Sequence, residues 1–326
     1  MNVLLSRTDR IGDLVLSTPA IATVRASFPQ ARIAIVTSAY NAVVVERNTD
    51  VDEIVVVPAG AYAREFGKTL SGYDLAIALA PRFVDLQIVA GSRAPIRVGY
   101  TYQRRWLARF AARYALNRIM ISEADPYLCD RQPNRVVRHE VEQLLDLVAL
   151  AGATKRVTGL RIDVLDGDRI VAETLPRDPI VLHVASRWFC NGSTLESTLT
   201  LARELAALGP VVVTCADETE AQAPAFAKSD AVTRCLRGLP FYQWAAVFER
   251  ARVVVTVDTG ATHVASAMGR PTLVAFEHRY FNLNSQEWSP YRVPHVLVRK
   301  PAQAQPALLR RFRDEIVAGV ARLMSA

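Results

Sequence analysis

The chain has 326 residues, of which 51% are hydrophobic and 22% charged, with a net charge of +7. At roughly 150 residues per domain this length predicts about two domains, and the composition excludes a disordered chain. No apolar run approaches the roughly 18 residues of a membrane span, and the charges soon after Met1 exclude a secretory signal, so we expect a cytoplasmic protein.

Short apolar, β-branched runs recur through the first half, near residue 3 and from residues 32, 53, 74 and 96. Segments suited to helices lie between them, and this alternation is typical of βαβ units and a parallel sheet. The runs are continuous rather than alternating, as expected of strands covered by helices on both faces. A longer helix is predicted from about Arg135 to Ala151, with Gly152 suiting its end.

Residues 154–178 are rich in charged and turn-forming residues, and we place the inter-domain connection there. Apolar runs resume from residues 180, 211, 252 and 271, and the last 20 or so residues predict one amphipathic helix. The sequence therefore predicts an α/β protein with two similar halves facing a ligand cleft. The expected boundaries are an N-terminal domain over 1–155, a linker over 156–178 and a C-terminal domain over 179–326 that ends in the final helix.

The excess of basic residues is local. No acidic residue lies between Asp85 and Glu123, whereas seven arginines do: Arg93, Arg97, Arg104, Arg105, Arg109, Arg113 and Arg118. Such a block suits phosphate groups, an anionic membrane face or nucleic acid, and the alternative is an ordinary solvated helix face. No nucleic-acid recognition motif accompanies the block, so we expect no nucleic-acid partner.

A first candidate motif, RTDRIGDLVLSTP over residues 7–19, follows the first strand and opens a helix. Ligands of parallel α/β sheets collect at the carboxyl ends of strands, where Gly12 would allow a tight turn. Asp13 would project towards the ligand there and accept a proton from a hydroxyl. The alternative is that Asp13 only caps the helix. The segment is not a dinucleotide fingerprint, because GxGxxG is absent.

The second candidate motif, VVVTVDTGATH over residues 253–263, predicts a strand, a sharp turn and a helix. Thr259 and Gly260 would place backbone N–H groups at the helix N-terminus, which favours a phosphate. His263 lies one helical turn further on, within reach of the same anion, and Asp258 would orient the loop or a hydroxyl. The alternative is a helix capped by Asp258 with a core histidine.

Several other kinds of site are excluded. Neither a P-loop nor a Gly-x-Ser-x-Gly nucleophile elbow occurs. The four cysteines form no CxxC pair and the five histidines lack zinc-ligand spacing, so we expect neither a disulfide framework nor a zinc site. The acidic residues of segment 163–168 suit a solvated turn better than a metal pair. We therefore expect no metal and no cofactor.

With both motifs located, the sequence resembles glycosyltransferase family nine, the ADP-heptose:lipopolysaccharide heptosyltransferases. The resemblance extends over residues 2 to about 292 and rests on motifs that occur in the family's order and at its separations. In chain order the matching residues are Arg7, Gly12, Asp13, Thr18 and Pro19; Phe28, Pro29 and Ala31; Val51, Asp52, Glu53 and Ile54; Tyr73, Asp74 and Leu75; His139, Glu140 and Glu142; Asp258, Thr259, Gly260, His263, Ala265, Ala267, Gly269 and Pro271; and Trp288, Pro290 and Tyr291.

The resemblance implies a GT-B fold, with two Rossmann-like domains facing a central cleft. It implies an inverting, metal-independent transfer of heptose from ADP-heptose to a lipopolysaccharide-core or related acceptor, with Asp13 as general base. The loop from Asp258 to Gly260, with His263, would hold the donor diphosphate. Glu218 corresponds to an acidic residue near the nucleoside, and the alternative for it is an exposed charge at a helix start.

One departure from the family concerns the loop after the first strand of the second domain. The family's lysine is missing there, together with the Trp-Pro that follows it, and Arg187 is the only cation of the loop. Arginine binds phosphate with a different geometry, so a different donor, a protein acceptor or a weakly active sugar-nucleotide binder stays open.

The expected partners are the nucleotide-sugar donor and an anionic glycolipid acceptor, with peripheral contact at the inner face of the membrane. For the acceptor side the candidates are the basic residues of the N-terminal half, namely Arg7, Arg10, Arg104, Arg105 and Arg109.

Overall fold

The computed structural model describes residues 1–103, 106–132, 134–191 and 193–325. The chain divides into two compact units, the first spanning Met1–Arg161 and the second beginning at Ile162. Each unit holds one six-stranded parallel sheet with helices packed against it. The predicted α/β class is therefore confirmed.

The first sheet has the strand order β3-β2-β1-β4-β5-β6. Its central strand β1 pairs in parallel with β2 on one side and β4 on the other. Four of its five residues are buried, as a strand covered on both faces requires. The strands are β1 Asn2–Ser6, β2 Arg32–Thr37, β3 Glu53–Val56, β4 Leu75–Ala78, β5 Ile96–Tyr102 and β6 Arg118–Ser122.

The second sheet repeats this order, as β9-β8-β7-β10-β11-β12. Read from its first strand it is the same 3-2-1-4-5-6 arrangement, in which ligands bind where the strand order reverses. The reversal falls between β7 and β10 here, and between β1 and β4 in the first sheet. The strands are β7 Ile180–Val184, β8 Val211–Cys215, β9 Arg234–Leu236, β10 Val253–Val257, β11 Thr272–Phe276 and β12 His295–Arg299.

The apolar runs of the sequence correspond to nine of these strands, and β6, β9 and β12 were not predicted. All three lie at a sheet edge, where one side of the strand has no partner. These three keep exposed positions, such as Arg118 in β6 and His295 in β12, so they lack the continuous apolar run of a central strand. The fourth edge strand, β3, was predicted because three of its four residues are β-branched and apolar.

Helices connect the strands. They are α1 Ile11–Ser27, α2 Ala63–Thr69, α3 Phe83–Gly91, α4 Trp106–Ala115, α5 Pro126–Arg131, α6 Glu140–Leu150, α7 Asp166–Glu173, α8 Leu195–Ala206, α9 Ala223–Ala227, α10 Phe241–Arg250, α11 Gly260–Ala267, α12 Phe281–Glu287 and α13 Pro306–Ser325. The last of these is the predicted final helix. The helix expected from Arg135 begins later, at Glu140, because His139 occupies the N-cap position and its ring accepts a hydrogen bond from the Val141 N–H.

Segment 163–168 opens a helix rather than a turn, since α7 begins at Asp166. This helix belongs to the second unit, where Arg169 pairs with Glu249 of α10. Among the described residues, no helix is long and apolar enough to cross a membrane.

Candidate active site

In the first unit a buried arginine lies where the strand order reverses. Arg7 directly follows β1 and is only 1% exposed. Its guanidinium donates to Asp9 Oδ1 at 2.9 Å and to Glu140 Oε1 at 3.1 Å, and it also contacts the Leu79 carbonyl at the end of β4. Since these protein groups surround it, Arg7 does not face solvent as a residue in direct contact with an acceptor would.

Asp13 lies in the first turn of α1, and its Oδ1 is 3.3 Å from Nη2 of Arg7. The side chain is 15% exposed, so it reaches the surface of the unit. The N-cap position belongs to Arg10, and the alternative in which Asp13 is the N-cap residue is wrong. The Asp13 carboxylate does accept a hydrogen bond from the Arg10 N–H, which holds it at the helix start.

Burial raises the pKa of the Asp13 carboxyl above its ordinary value, and the negative charge of Glu140 raises it further. The neighbouring charge of Arg7 acts in the opposite direction and favours the ionised form. The result is a fixed, ionisable carboxylate with increased basicity, which is what a general base requires.

Two further buried groups surround this arginine. Tyr100 on β5 donates from its hydroxyl to Glu140 Oε1 at 2.8 Å, and both residues are buried. Asp85 of α3 accepts hydrogen bonds from the Ser6 hydroxyl and from the N–H and hydroxyl of Thr8. Burial raises the pKa of Asp85 to about 6. None of these three residues was given a role by the sequence.

The remaining acceptor-side candidates differ in exposure. Arg10 is exposed at the start of α1, and Arg109 is half-buried in α4, where it donates to the Gln103 carbonyl. Arg104 and Arg105 lie outside the described residues. Among the described residues no hydrogen bond joins Arg10 to Arg109, whereas Arg7 and Asp13 form an ion pair at 3.3 Å.

In the second unit, Arg187 and Asp258 meet where that sheet's strand order reverses. Arg187 belongs to a short 3-10 helix, Ser186–Phe189, after β7, and Asp258 directly follows β10. Arg187 Nη1 donates to Asp258 Oδ2 at 2.6 Å and to its backbone carbonyl at 2.7 Å. Asn284 donates to the same carboxylate oxygen at 3.0 Å. Asp258 thus orients the one cation of the loop, and Arg187 remains 34% exposed.

Helix α11 begins at Gly260, with Thr259 at its N-cap. The Thr259 hydroxyl donates to the Val257 carbonyl at 3.2 Å, so it is turned away from the first amides of the helix. These amides lie at the positive end of α11, beside the cation of the Arg187 loop, an arrangement suited to a phosphate. His263 is only 4% exposed and its ring faces Trp288, which fits the core-histidine alternative better than a surface ligand.

Glu218 is exposed in a 3-10 helix, Asp217–Gln222, after β8, and it accepts a long hydrogen bond from the Ser186 N–H. It therefore lies next to the loop of Arg187. Lys300, which the sequence analysis missed, is fully buried and holds this loop by hydrogen bonds. Its ammonium group donates to the Arg187 carbonyl and to Glu277 Oε1. The only sequence signal for it is a lone lysine directly after β12.

Each unit thus holds its own polar cluster where its strand order reverses. The first holds a carboxylate of raised pKa, and the second holds helix amides and an oriented arginine that suit a diphosphate. Within the described part of the chain, no group of three His, Cys, Asp or Glu residues could hold a metal ion.

Residues 200–313 match the family model of glycosyltransferase family 9 (heptosyltransferase). This segment of the second unit is therefore similar to the family 9 glycosyltransferases. The matched stretch includes the Asp258–His263 segment and Glu218, while Asp13 and Arg187 precede it. The resemblance stated from the motifs is thereby confirmed. A comparison with curated proteins found no match.

Solved structures share the fold over nearly the whole chain. A family 9 glycosyl transferase from Veillonella parvula has a TM-score of 0.78 at 18% identity, covering 99% of this chain and 97% of the other. The E. coli ADP-heptose lps heptosyltransferase II has a TM-score of 0.75 at 19% identity, covering 99% and 98%. The E. coli heptosyltransferase WaaC with ADP-2-deoxy-2-fluoro heptose has a TM-score of 0.67 at 19% identity, covering 97% and 100%. The fold is therefore GT-B, and together with the family-model match over residues 200–313 it indicates a glycosyltransferase.

Proposed function

We propose that the protein is an inverting, metal-independent glycosyltransferase that moves a heptose from ADP-heptose to a hydroxyl of a lipopolysaccharide core or a related glycolipid. The observation that carries the proposal is Asp13, a carboxylate of raised pKa that is held by Arg7 at the carboxyl end of the central strand. The choice of donor is supported by two E. coli proteins of the same fold, the ADP-heptose lps heptosyltransferase II and the heptosyltransferase WaaC with ADP-2-deoxy-2-fluoro heptose.

In the proposed reaction Asp13 takes the proton of the acceptor hydroxyl as its oxygen attacks the anomeric carbon. The bond from that carbon to the diphosphate oxygen breaks, and ADP leaves with the bonding electron pair. Because the oxygen enters opposite to the leaving group in one displacement, the configuration at the anomeric carbon inverts.

Negative charge grows on the diphosphate as that bond breaks. The first amides of α11 and the guanidinium of Arg187 would stabilise it, as donors positioned for a transition state do. Asp258 keeps Arg187 in place through its 2.6 Å ion pair. With these groups supplying positive charge, the mechanism requires no metal. Glu218 would contact the nucleoside.

The proposed acceptor is anionic and carried by a membrane, so we place the protein in the cytoplasm with peripheral contact at the inner membrane face. Arg10 and Arg109 would meet acceptor or lipid phosphates, together with Arg104 and Arg105. Exposed arginines near an anionic surface contribute about 1 kcal/mol each.

A second candidate function is transfer from a different nucleotide sugar. The pairing of Arg187 with Asp258 favours it, because a planar guanidinium fixed by a carboxylate recognises phosphate differently from a lysine ammonium. This candidate keeps the same base and the same displacement and changes only the donor.

Incubation of the purified protein with ADP-heptose and a truncated lipopolysaccharide core, with product mass as the readout, tests the proposal. We expect a product heavier by one heptose residue, also in the presence of EDTA. The same assay with a panel of nucleotide sugars tests the second candidate, for which a product would form only from another donor. Absence of product from every donor would refute both.

A further inference from the structure

Helix α4 of the first unit exposes large apolar side chains. Trp106, Leu107, Phe110 and Tyr114 are between 58% and 73% exposed. Trp106, Phe110 and Tyr114 are spaced four residues apart, and Leu107 precedes Phe110 by three, so the four lie along one side of the helix. The rings of Phe110 and Tyr114 touch, with centroids 5.2 Å apart. We call this side the aromatic face.

The opposite side of α4 is small and buried. Ala112 and Ala115 are buried in the core of the first unit. The sequence thus reverses the usual arrangement of a surface helix, in which the large apolar residues face the core. Aromatic side chains gathered on the solvent side, at this level of exposure, mark an interaction site.

The charges beside the aromatic face are all positive. Arg109 and Arg113 are the only charged residues of α4 and follow Trp106 and Phe110 by three positions, so they flank the aromatic face. They belong to the acid-free stretch between Asp85 and Glu123. A helix with aromatic residues bordered by arginines is the pattern of helices that lie in the interface of an anionic bilayer.

Further exposed aromatic residues lie at the same edge of the sheet. Tyr40, Tyr62 and Phe83 are 63%, 84% and 70% exposed, and they follow β2, β3 and β4. Helix α4 follows β5. Because the carboxyl ends of parallel strands share one edge, these residues and the start of the aromatic face, at Trp106 and Leu107, lie towards the edge that carries Asp13.

We propose that the aromatic face of α4 inserts into the headgroup region of an anionic lipid bilayer and docks the carboxyl edge of the first sheet on it. The inference deepens the proposed function, on which it rests for the location of the acceptor, by naming the docking element. Charge complementarity selects the bilayer over a second copy of the chain, since a symmetric dimer through this face would bring Arg109 and Arg113 against their own copies.

The test is co-sedimentation of the full chain with vesicles of phosphatidylglycerol and phosphatidylcholine, without any sugar nucleotide. We expect the parent to pellet with these vesicles and less with pure phosphatidylcholine. The triple variant Trp106→Gln, Leu107→Gln and Phe110→Gln should lose about tenfold or more in vesicle affinity, because the buried apolar surface of an interfacial helix drives its binding. Its melting temperature and ADP affinity should equal those of the parent, since the replaced side chains are exposed.

A matched control replaces exposed apolar residues elsewhere. Ile170→Gln with Leu308→Gln changes side chains of the second unit that are 63% and 38% exposed, and it should pellet like the parent. Brominated lipids add a direct readout, since they should quench parent tryptophan fluorescence through Trp106. Trp106→Phe should retain docking and lose that quenching.

Two outcomes would overturn the docking proposal: a parent that does not pellet with anionic vesicles, and a triple variant that pellets like the parent. A triple variant that instead turns a sedimenting dimer into a monomer would assign the face to a second copy. Transfer to a deacylated, water-soluble acceptor separates this proposal from the proposed function. If the parent does not transfer a sugar to this soluble acceptor, the proposed function is refuted. The vesicle binding measured for the parent would still support the docking proposal.

Discussion

The guanidinium of Arg7 lies 3.3 Å from the carboxylate of Asp13, and it is buried while Asp13 reaches the surface. The same guanidinium binds Glu140, which in turn accepts the Tyr100 hydroxyl. A buried charge needs such partners, because removing one of them leaves the other uncompensated. Arg7 therefore links the partly exposed carboxylate of Asp13 to a buried, hydrogen-bonded support, which restricts the orientations of Asp13.

Replacing Asp13 tests the base. We expect Asp13→Asn to fold and bind ADP like the parent and to lower turnover by roughly 10²–10⁴-fold, the usual scale for a lost general base. Initial rates with the acceptor, together with ADP titrations, measure both effects. Asp9→Asn serves as the comparison, since Asp9 also pairs with Arg7. If Asp9→Asn loses more activity than Asp13→Asn, the base has been assigned to the wrong carboxylate.

Glu140→Gln tests whether the buried support tunes the base. Glutamine still accepts from Arg7 and Tyr100 but removes the charge that raises the pKa of Asp13. The pKa of Asp13 should fall, so the acidic limb of the pH profile of kcat should move to lower pH. Glu142→Gln, two residues away at an exposed pair with Arg156, should leave that limb in place. An unshifted limb in Glu140→Gln would limit Glu140 to a structural role.

The sequence was sufficient for the fold class because β1, β4, β7 and β10 are covered on both faces and read as continuous apolar runs. It was insufficient for the edge strands β6, β9 and β12, whose exposed positions interrupt that pattern. The same contrast holds for the site. Asp13 and Asp258 were found because each follows a central strand, which is a local feature of the chain.

The supporting contacts of Glu140 and Lys300 were not predicted, although Glu140 is one of the family-motif matches, because their partners are distant in sequence. Glu140 is 133 positions from Arg7, and Lys300 is 113 positions from Arg187. Hydropathy patterns carry no information about such pairs. The exposed aromatic face of α4 was missed for another reason: apolar periodicity predicts a helix but leaves open which of its sides faces the core.

Replacing Arg187 tests the donor loop. A charged hydrogen bond contributes about 1.5–3 kcal/mol, so Arg187→Ala should weaken ADP binding by roughly 10- to 150-fold, with EDTA making no difference. Arg187→Lys should recover part of the affinity, since the charge is kept and the planar geometry is lost. Isothermal titration with ADP measures both variants. Arg237→Ala, at an exposed pair with Glu220, is the matched control. Equal ADP affinity of Arg187→Ala and the parent would remove Arg187 from the donor site.

The raised pKa of Asp85 predicts that the stability of the first unit changes with pH. Its pKa is raised by burial to about 6, whereas an unfolded aspartate titrates near 3.9, so the folded state binds the proton more tightly. The stability that this difference contributes is present at low pH and is lost as the pH rises through about 6. Asp85→Asn keeps the contacts to Ser6 and Thr8 without a charge, and it should abolish this part of the pH dependence. Hydrogen exchange of β1 amides at pH values on either side of 6 reports it. An identical pH dependence in the variant and the parent would show that Asp85 is not its source.

The lowered pKa of His183 predicts the opposite pH dependence of stability in the second unit. It is buried on β7, where its Nδ1 lies 2.9 Å from the Thr214 hydroxyl and its ring packs against Trp244 and Phe248. Burial lowers its pKa to about 3, against about 6.5 in the unfolded chain. As the pH falls below about 6.5 the unfolded state gains a proton that the folded state does not, so the free energy of unfolding decreases by up to about 1.4 kcal/mol per pH unit.

His183→Gln keeps a hydrogen-bonding group near Thr214 and cannot be protonated. It should be less stable at neutral pH, because the ring packing is lost, and its stability should fall less steeply towards acid. His295→Gln, which changes an exposed histidine, should retain the slope of the parent. Hydrogen exchange of β7 amides against pH measures all three proteins, and a slope in His183→Gln as steep as that of the parent would show that another group is responsible.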